Sequence, residues 1–180
     1  MIKTRVKIFP VLMDCRSTVE ELISGGNLEV GYGLIDSQNF PPIMGRERKR
    51  FLQYKEIHLI NNGPIDTDRA IENLKQITLR PADIFDLLTL NRTYPASPGV
   101  KKVYSLSGMS IIALGSLLAV KGKEGLQLAP ILNCGEDRKN PLDTRRYIHL
   151  NDTEYYDERE KKVKKFDDWW PDYWFAAVLL

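Results

Sequence analysis

Residues 145–151 read Arg145-Arg-Tyr-Ile-His-Leu-Asn151. Ile148 and Leu150 alternate with Tyr147, His149 and Asn151, which is the two-residue period of a β-strand with unlike faces. The aliphatic pair points one way and the ring-bearing, polar set points the other. Outward from this stretch, residues 109–120 are apolar apart from Ser110, Gly115 and Ser116, and read as a buried strand or strand pair. A turn at Lys121-Gly-Lys-Glu-Gly125, a strand at 126–132, a loop at 133–144 and a last strand at 173–180 complete a β-rich second half.

The first half has a different rhythm. Residues 2–9 alternate Ile2, Thr4, Val6 and Ile8 with Lys3, Arg5 and Lys7, so a strand is expected there. Ser17-Thr-Val-Glu20 has the form of a capping box, and Val19, Leu22 and Ile23 supply the apolar stripe of a helix that Gly25-Gly26 stops. Residues 27–50 read mainly as loop, and Ile57 and Leu59 mark a short strand. Asp66 caps a second helix with Ala70, Ile71 and Leu74 turned inward. Arg80-Pro81 opens a third, with Ile84, Phe85, Leu87 and Leu88 as its apolar face. The layout predicts one α+β domain over residues 1–180, helices first and an antiparallel sheet afterwards. The apolar ending Phe175-Ala-Ala-Val-Leu-Leu180 should be paired in that sheet, with strand 2–9 as the expected antiparallel partner.

Composition excludes several classes. The chain has 180 residues, 43% hydrophobic and 28% charged, which is globular and not disordered or fibrous. A net charge of +2 gives no broad electrostatic footprint for nucleic acid or an anionic membrane. The basic runs 46–50 and 161–165 read as solvated loop faces, their field cancelled by nearby Glu and Asp. Cys15 and Cys134 are too few for a disulfide framework or a four-cysteine metal site; whether they are free or bridged stays open. Lys3, Arg5 and Lys7 interrupt the N-terminus, so no ordinary signal peptide is expected, and no stretch reaches the roughly 20 apolar residues of a spanning helix.

Familiar catalytic patterns are missing from the sequence. There is no Gly-rich phosphate loop and no nucleophile elbow, and His58 and His149 are the only histidines. His58 reads as an ordinary strand residue, and Asp66-Thr-Asp68 reads as helix capping before it reads as a metal pair. Aromatics, by contrast, are concentrated. Nine of the seventeen lie in residues 147–175, and all three tryptophans are among the last twelve residues. Rings mixed with short polar groups are the composition of a recognition surface, because they bring contact area at low entropic cost.

An ordered set of segments carries a resemblance. Thr18-Val-Glu-Glu-Leu-Ile23, Asn39-Phe-Pro41, a helix from Ala70, Arg80-Pro-Ala82 with Leu87-Leu88, Ile111-Ile-Ala-Leu-Gly-Ser116, Ala129-Pro130, Phe166-Asp-Asp-Trp169 and Phe175-Ala-Ala-Val178 follow one another. Together they resemble the variable proteins of diversity-generating retroelements, of the kind found in archaea, their viruses and small-genome bacteria. The likeness spans residues 13–180. It implies a C-type lectin fold with paired N- and C-terminal strands. It also implies that the part from about residue 129 is rewritten by adenine-directed mutagenesis and displayed as a ligand-binding surface. Trp174 stands where the family usually has Arg, residues 153–165 look inserted, and the calcium-and-sugar motifs of true lectins are not visible.

The resemblance implies framework positions at Arg146, Ile148 and Leu150 and changeable ones at Tyr147, His149 and Asn151. Trp169, Phe175 and Val178 are assigned to the core. Trp170 and Tyr173 are assigned to the surface, with Asp168 and Asp172 on their side. Trp174 stands opposite Tyr173 by alternation and is carried in the candidate set. Tyr155 and Tyr156 either extend the surface or anchor the inserted loop. The expected function is recognition of a macromolecule, a cell-surface protein, by a non-enzymatic protein needing no cofactor and no metal, with no nucleic acid bound and no membrane insertion. Display on a virion or cell surface would suit it. Two alternative functions stand beside it. A formylglycine-generating-type enzyme would need paired cysteines near a cleft. A small protein binding single-stranded nucleic acid would stack bases on Trp and Tyr.

Overall fold

The computed structural model describes residues 4–31, 34–41, 52–94, 105–120, 127–135, 146–152, 154–157, 162–165, 169 and 171–179. Strand β1 (Arg5–Asp14) pairs antiparallel along its whole length with β3 (Leu52–Asn61), from Arg5 opposite Asn61 to Asp14 opposite Leu52. Its buried side is Phe9, Val11 and Met13, while Val6, Ile8 and Leu12 face outward. Residues 2 and 3 lie outside the described residues; from Arg5 on the alternation holds, but the core lies on the side that begins with Arg5 and Lys7, because the strand runs on to Asp14 and its bulky ring-and-thioether set decides the face.

Helix α1 (Val19–Gly25) is capped by Thr18. Thr18 Oγ1 accepts from the Glu21 N–H at 3.2 Å, and Glu21 Oε2 accepts from the Thr18 N–H at 3.0 Å. The box therefore sits one residue later than Ser17 and Glu20. Glu20 instead accepts from the backbone N–H and the hydroxyl of Ser37, which hold its carboxyl down at about 2. Strand β2 (Glu29–Val30) lies in the region read as loop. Helix α2 (Thr67–Gln76) starts at its Asp66 cap as expected and buries Ala70 and Leu74. Pro81 ends strand β4 (Leu79–Pro81) and does not open α3 (Ile84–Thr93). That helix is capped by Asp83 in a box with Asp86, and Asp86 is fully buried on Lys55 Nζ at 2.7 Å.

The second half supplies β5 (Met109–Ile112), β6 (Leu118–Ala119), β7 (Gln127–Cys134), β8 (Arg146–Asp152) and β11 (Tyr173–Leu179). Strands β9 (Glu154–Asp157) and β10 (Lys162–Lys165) pair antiparallel in a separate two-stranded sheet. Gly115 allows the chain after β5 to meet the α3 entry. Its N–H donates to Ala82 O at 2.9 Å, and a Cβ there would lie 2.6 Å from the same oxygen.

The main sheet has the order β1-β3-β11-β5-β7-β8-β2, with β4 on β11 and β6 on β7. It is mixed and not purely antiparallel, since β11 runs parallel to β5 and β2 parallel to β8. The end strands are not paired with each other. β3 lies between them, holding β1 on one side and Phe175–Ala177 of β11 on the other. A ten-residue strand with Ile57, Leu59 and Ile60 all buried is an internal strand, and it displaces β1 to the edge. The architecture is α+β, with three helices among the described residues and one large mixed sheet.

Alternate residues divide the sheet. Trp174, Ile111, Leu132 and Ile148 face the main core with α1 and α3. Phe175, Ile112, Ile131 and Ala129 face the other way, into a smaller core closed by Trp169 and Ala70 of α2.

Candidate functional site

Among the described residues the second face is covered over part of its length, by Trp169 and α2. Beyond the smaller core, cross-strand registers align Glu29 with Tyr147, Tyr147 with Asn133, Asn133 with Ser110, and Ser110 with Tyr173. Five strands thus place five side chains in one row. At about 4.8 Å per strand the row is about 19 Å long. Tyr147 is 42% exposed, Glu29 is exposed, and Ser110, Asn133 and Tyr173 are half-buried. His149 and Asn151 continue the β8 side of this face, both half-buried. Their neighbours Arg146, Ile148 and Leu150 are buried at 5%, 0% and 6% exposure. Strand β8 has the two-faced geometry read from its sequence.

The row is built from fixed parts. Ser110 Oγ donates to Asn133 Oδ1 at 2.5 Å, and Asn133 Nδ2 meets His149 Nδ1 at 3.1 Å. Tyr147 stacks on His149, with centroids 5.3 Å apart and planes 26° apart. Gly31 brings β2 against this pair, where a Cβ would stand 3.1 Å from His149 Cβ. Burial pulls the His149 pKa below its ordinary value, favouring the neutral ring. Burial pushes the Tyr173 hydroxyl up, and Tyr147 adds to that shift.

The far end of the row is pinned from below. Trp169, 2% exposed, donates through Nε1 to Thr67 Oγ1 at 3.1 Å and through its backbone N–H to Ile65 O at 2.9 Å. Its ring meets Tyr173 edge-on at 5.6 Å and Phe175 edge-on at 6.4 Å. Asn61, 2% exposed, donates through Nδ2 to Pro171 O at 2.7 Å and Tyr173 O at 2.8 Å. These contacts set the entry into β11, so Asp172 is exposed and Tyr173 joins the row.

Below the row, Arg146 ties the sheet to α3. Its Nη1 donates to Asn91 Oδ1 and Tyr94 O, both at 2.7 Å, so a cation meets the carbonyl end of the helix. Among the described residues its buried Nε and Nη2 have no hydrogen-bond partner. Burial lowers its pKa.

Sequence and structure can be matched residue by residue. Tyr147, His149, Asn151, Asp172 and Tyr173 lie on the outward face or at its rim. Trp169, Phe175 and Val178 are core, as expected. Trp174 is a correction: it is 7% exposed and faces the main core, because alternation turns it away from Tyr173. Its ring lies 5.3 Å from the Arg5 guanidinium and 5.5 Å from Lys7 Nζ. Tyr155 and Tyr156 are in β9, opposite Lys164 and Val163, which gives their backbone register. Asp168 and Trp170 lie outside the described residues. Glu29, Ser110 and Asn133 were missed. Asn133 and Glu29 fall in segments read as loop, and the lone polar Ser110 in an apolar strand was the available signal.

Among the described residues no group of His, Cys, Asp and Glu could hold a metal ion, and no helix is long and apolar enough to cross a membrane. Among the described residues neither Cys15 nor Cys134 is in a disulfide. Cys134 is buried, and burial pushes its thiol up to about 11. No family model, no curated protein and no solved structure matches this chain.

Proposed function

We propose that this is a non-enzymatic recognition protein of the retroelement-diversified kind, displaying changeable residues on a C-type-lectin-type scaffold. The observation that supports it best is the division of β8. Tyr147, His149 and Asn151 reach solvent while Arg146, Ile148 and Leu150 lock the framework. A protein whose binding residues are rewritten needs that separation, since core changes cost kilocalories and exposed ones about 0.5 kcal/mol or less.

In this reading the row from Glu29 to Tyr173, with His149, Asn151 and Asp172, grips a macromolecular partner such as a cell-surface protein. Affinity comes from desolvating rings held rigid by the sheet. Display on a virion or cell surface fits the role. The near-balanced charge of +2 favours a protein partner over single-stranded nucleic acid. A buried thiol shifted upward favours binding over formylglycine-type cysteine chemistry.

Two experiments test the reading. Sequencing the gene's neighbourhood should find a reverse transcriptase and an imperfect repeat of the gene's 3′ end that differs at template adenines; their absence counts against retroelement diversification. Alanine substitutions at Tyr147, His149 and Tyr173 should each weaken binding to a partner captured by this protein. Unchanged binding in all three would end the recognition reading.

A further inference from the structure

One hydrogen-bond chain runs along the row from Ser110 through Asn133 to His149. The Ser110 hydroxyl donates to Asn133 Oδ1, so the Asn133 amide is left to donate through Nδ2 to His149 Nδ1. A ring nitrogen that accepts carries no proton, and a neutral imidazole then keeps its proton on Nε2. His149 therefore presents a donor beside the Tyr147 ring stacked on it. No described residue accepts from that Nε2.

Among the described residues a carboxylate marks each end of the row. Glu29 stands opposite Tyr147 and is exposed. Asp172, also exposed, precedes Tyr173 at the other end of the row. No described cation shares the row. Arg5 and Lys7 lie across the sheet over Trp174, and Arg146 is buried on the helix-backed side. A partly exposed tyrosine ring with an exposed glutamate opposite it on the next strand is suited to a guanidinium, which stacks on the ring and pairs with the acid.

We propose that the row takes a protein loop carrying an arginine next to an accessible main-chain carbonyl, with the guanidinium over Tyr147 toward Glu29 and the carbonyl accepting from His149 Nε2. Ser110 and Asn133 act as positioning residues that fix which tautomer the loop meets. The proposal rests on the recognition reading and narrows it to a basic partner surface.

The test is an NMR titration of the isotope-labelled full chain with N-acetyl-arginine N-methylamide, with N-acetyl-glutamate N-methylamide as the control. The arginine probe should shift the Tyr147, Glu29 and His149 signals saturably, and the glutamate probe should leave them in place. Glu29→Gln should weaken the arginine probe several-fold. Asn133→Ala should convert the His149 ring nitrogen shifts from one tautomer to a mixture and also weaken the probe. No saturable shift with arginine, equal shifts with glutamate, or undiminished binding to Glu29→Gln overturns the proposal. The recognition reading fails separately: an acidic partner mapped to the row would refute the arginine loop and leave recognition standing, whereas binding unaffected by substitutions along the row would refute both.

Discussion

On the helix-backed side of the sheet Trp174, Ile111, Leu132 and Ile148 stand in adjacent strands, all buried. One residue away along the same four strands, Tyr173, Ser110, Asn133 and Tyr147 stand in an equally regular row on the opposite side. Backbone, register and strand neighbours are shared, and only the covering differs. The first row is sealed by α1 and α3. Among the described residues the second has Trp169 and α2 over one part, while Tyr147 and Glu29 at the other end are exposed. Chain geometry thus fixes where both rows point, and the covering layer alone decides which can change without unfolding the protein.

The largest effect should come from removing the cover of the second face. Trp169→Ala deletes a fully buried ring together with its bond to Thr67, and should cost about 3–5 kcal/mol in a denaturant titration. A cost under 1 kcal/mol would mean that the partly covered side needs no such cover. Next is the tether at the end of the row. Asn61→Ala leaves the Pro171 and Tyr173 carbonyls without their buried donor and should cost about 1–3 kcal/mol. It should also broaden the Tyr173 resonances, which a purely global loss would not single out.

A smaller effect follows from acid. Burial lowers the His149 pKa from the ordinary 6.5, so the unfolded chain takes up this proton first. Its contribution is complete above about 6.5, falls as the pH drops from there to the folded value, and is flat below it. Denaturation midpoints of the native chain should therefore fall through that window more steeply than those of His149→Gln. Identical slopes would place the ring in a more watery setting than the row describes. The smallest effect belongs to the most exposed ring of the row: Tyr147→Ala should change stability by about 0.5 kcal/mol or less while still abolishing the stack on His149.

Much of this was legible in the chain because a half-buried strand writes its faces into alternate residues. Residues 145–151 show it, and so does the Asp66 cap before Ala70 and Leu74. The capping box of α1 was legible only as a class. Ser17 and Thr18 each have a glutamate three residues on, so either could cap, and the path after β1 picks Thr18. What could not be read is pairing between distant segments. That β3 separates β1 from β11, that Pro81 ends a strand, and that Glu29 and Asn133 flank Tyr147 with Ser110 one strand further on all depend on register set by non-local contacts. Trp174 was ambiguous for a related reason: its place follows from alternation only after the face of Tyr173 is known.

The sharpest trial is a matched pair of variants in β8, compared by denaturant unfolding under one set of conditions. The triple substitution Tyr147→Ser, His149→Ser and Asn151→Ser changes three outward residues, and Ile148→Ser changes one inward residue between them. The account predicts that the triple variant stays folded with a loss of about 1 kcal/mol or less, while the single one loses about 3 kcal/mol or more. A triple variant that unfolds, or a single one that is tolerated, would contradict it.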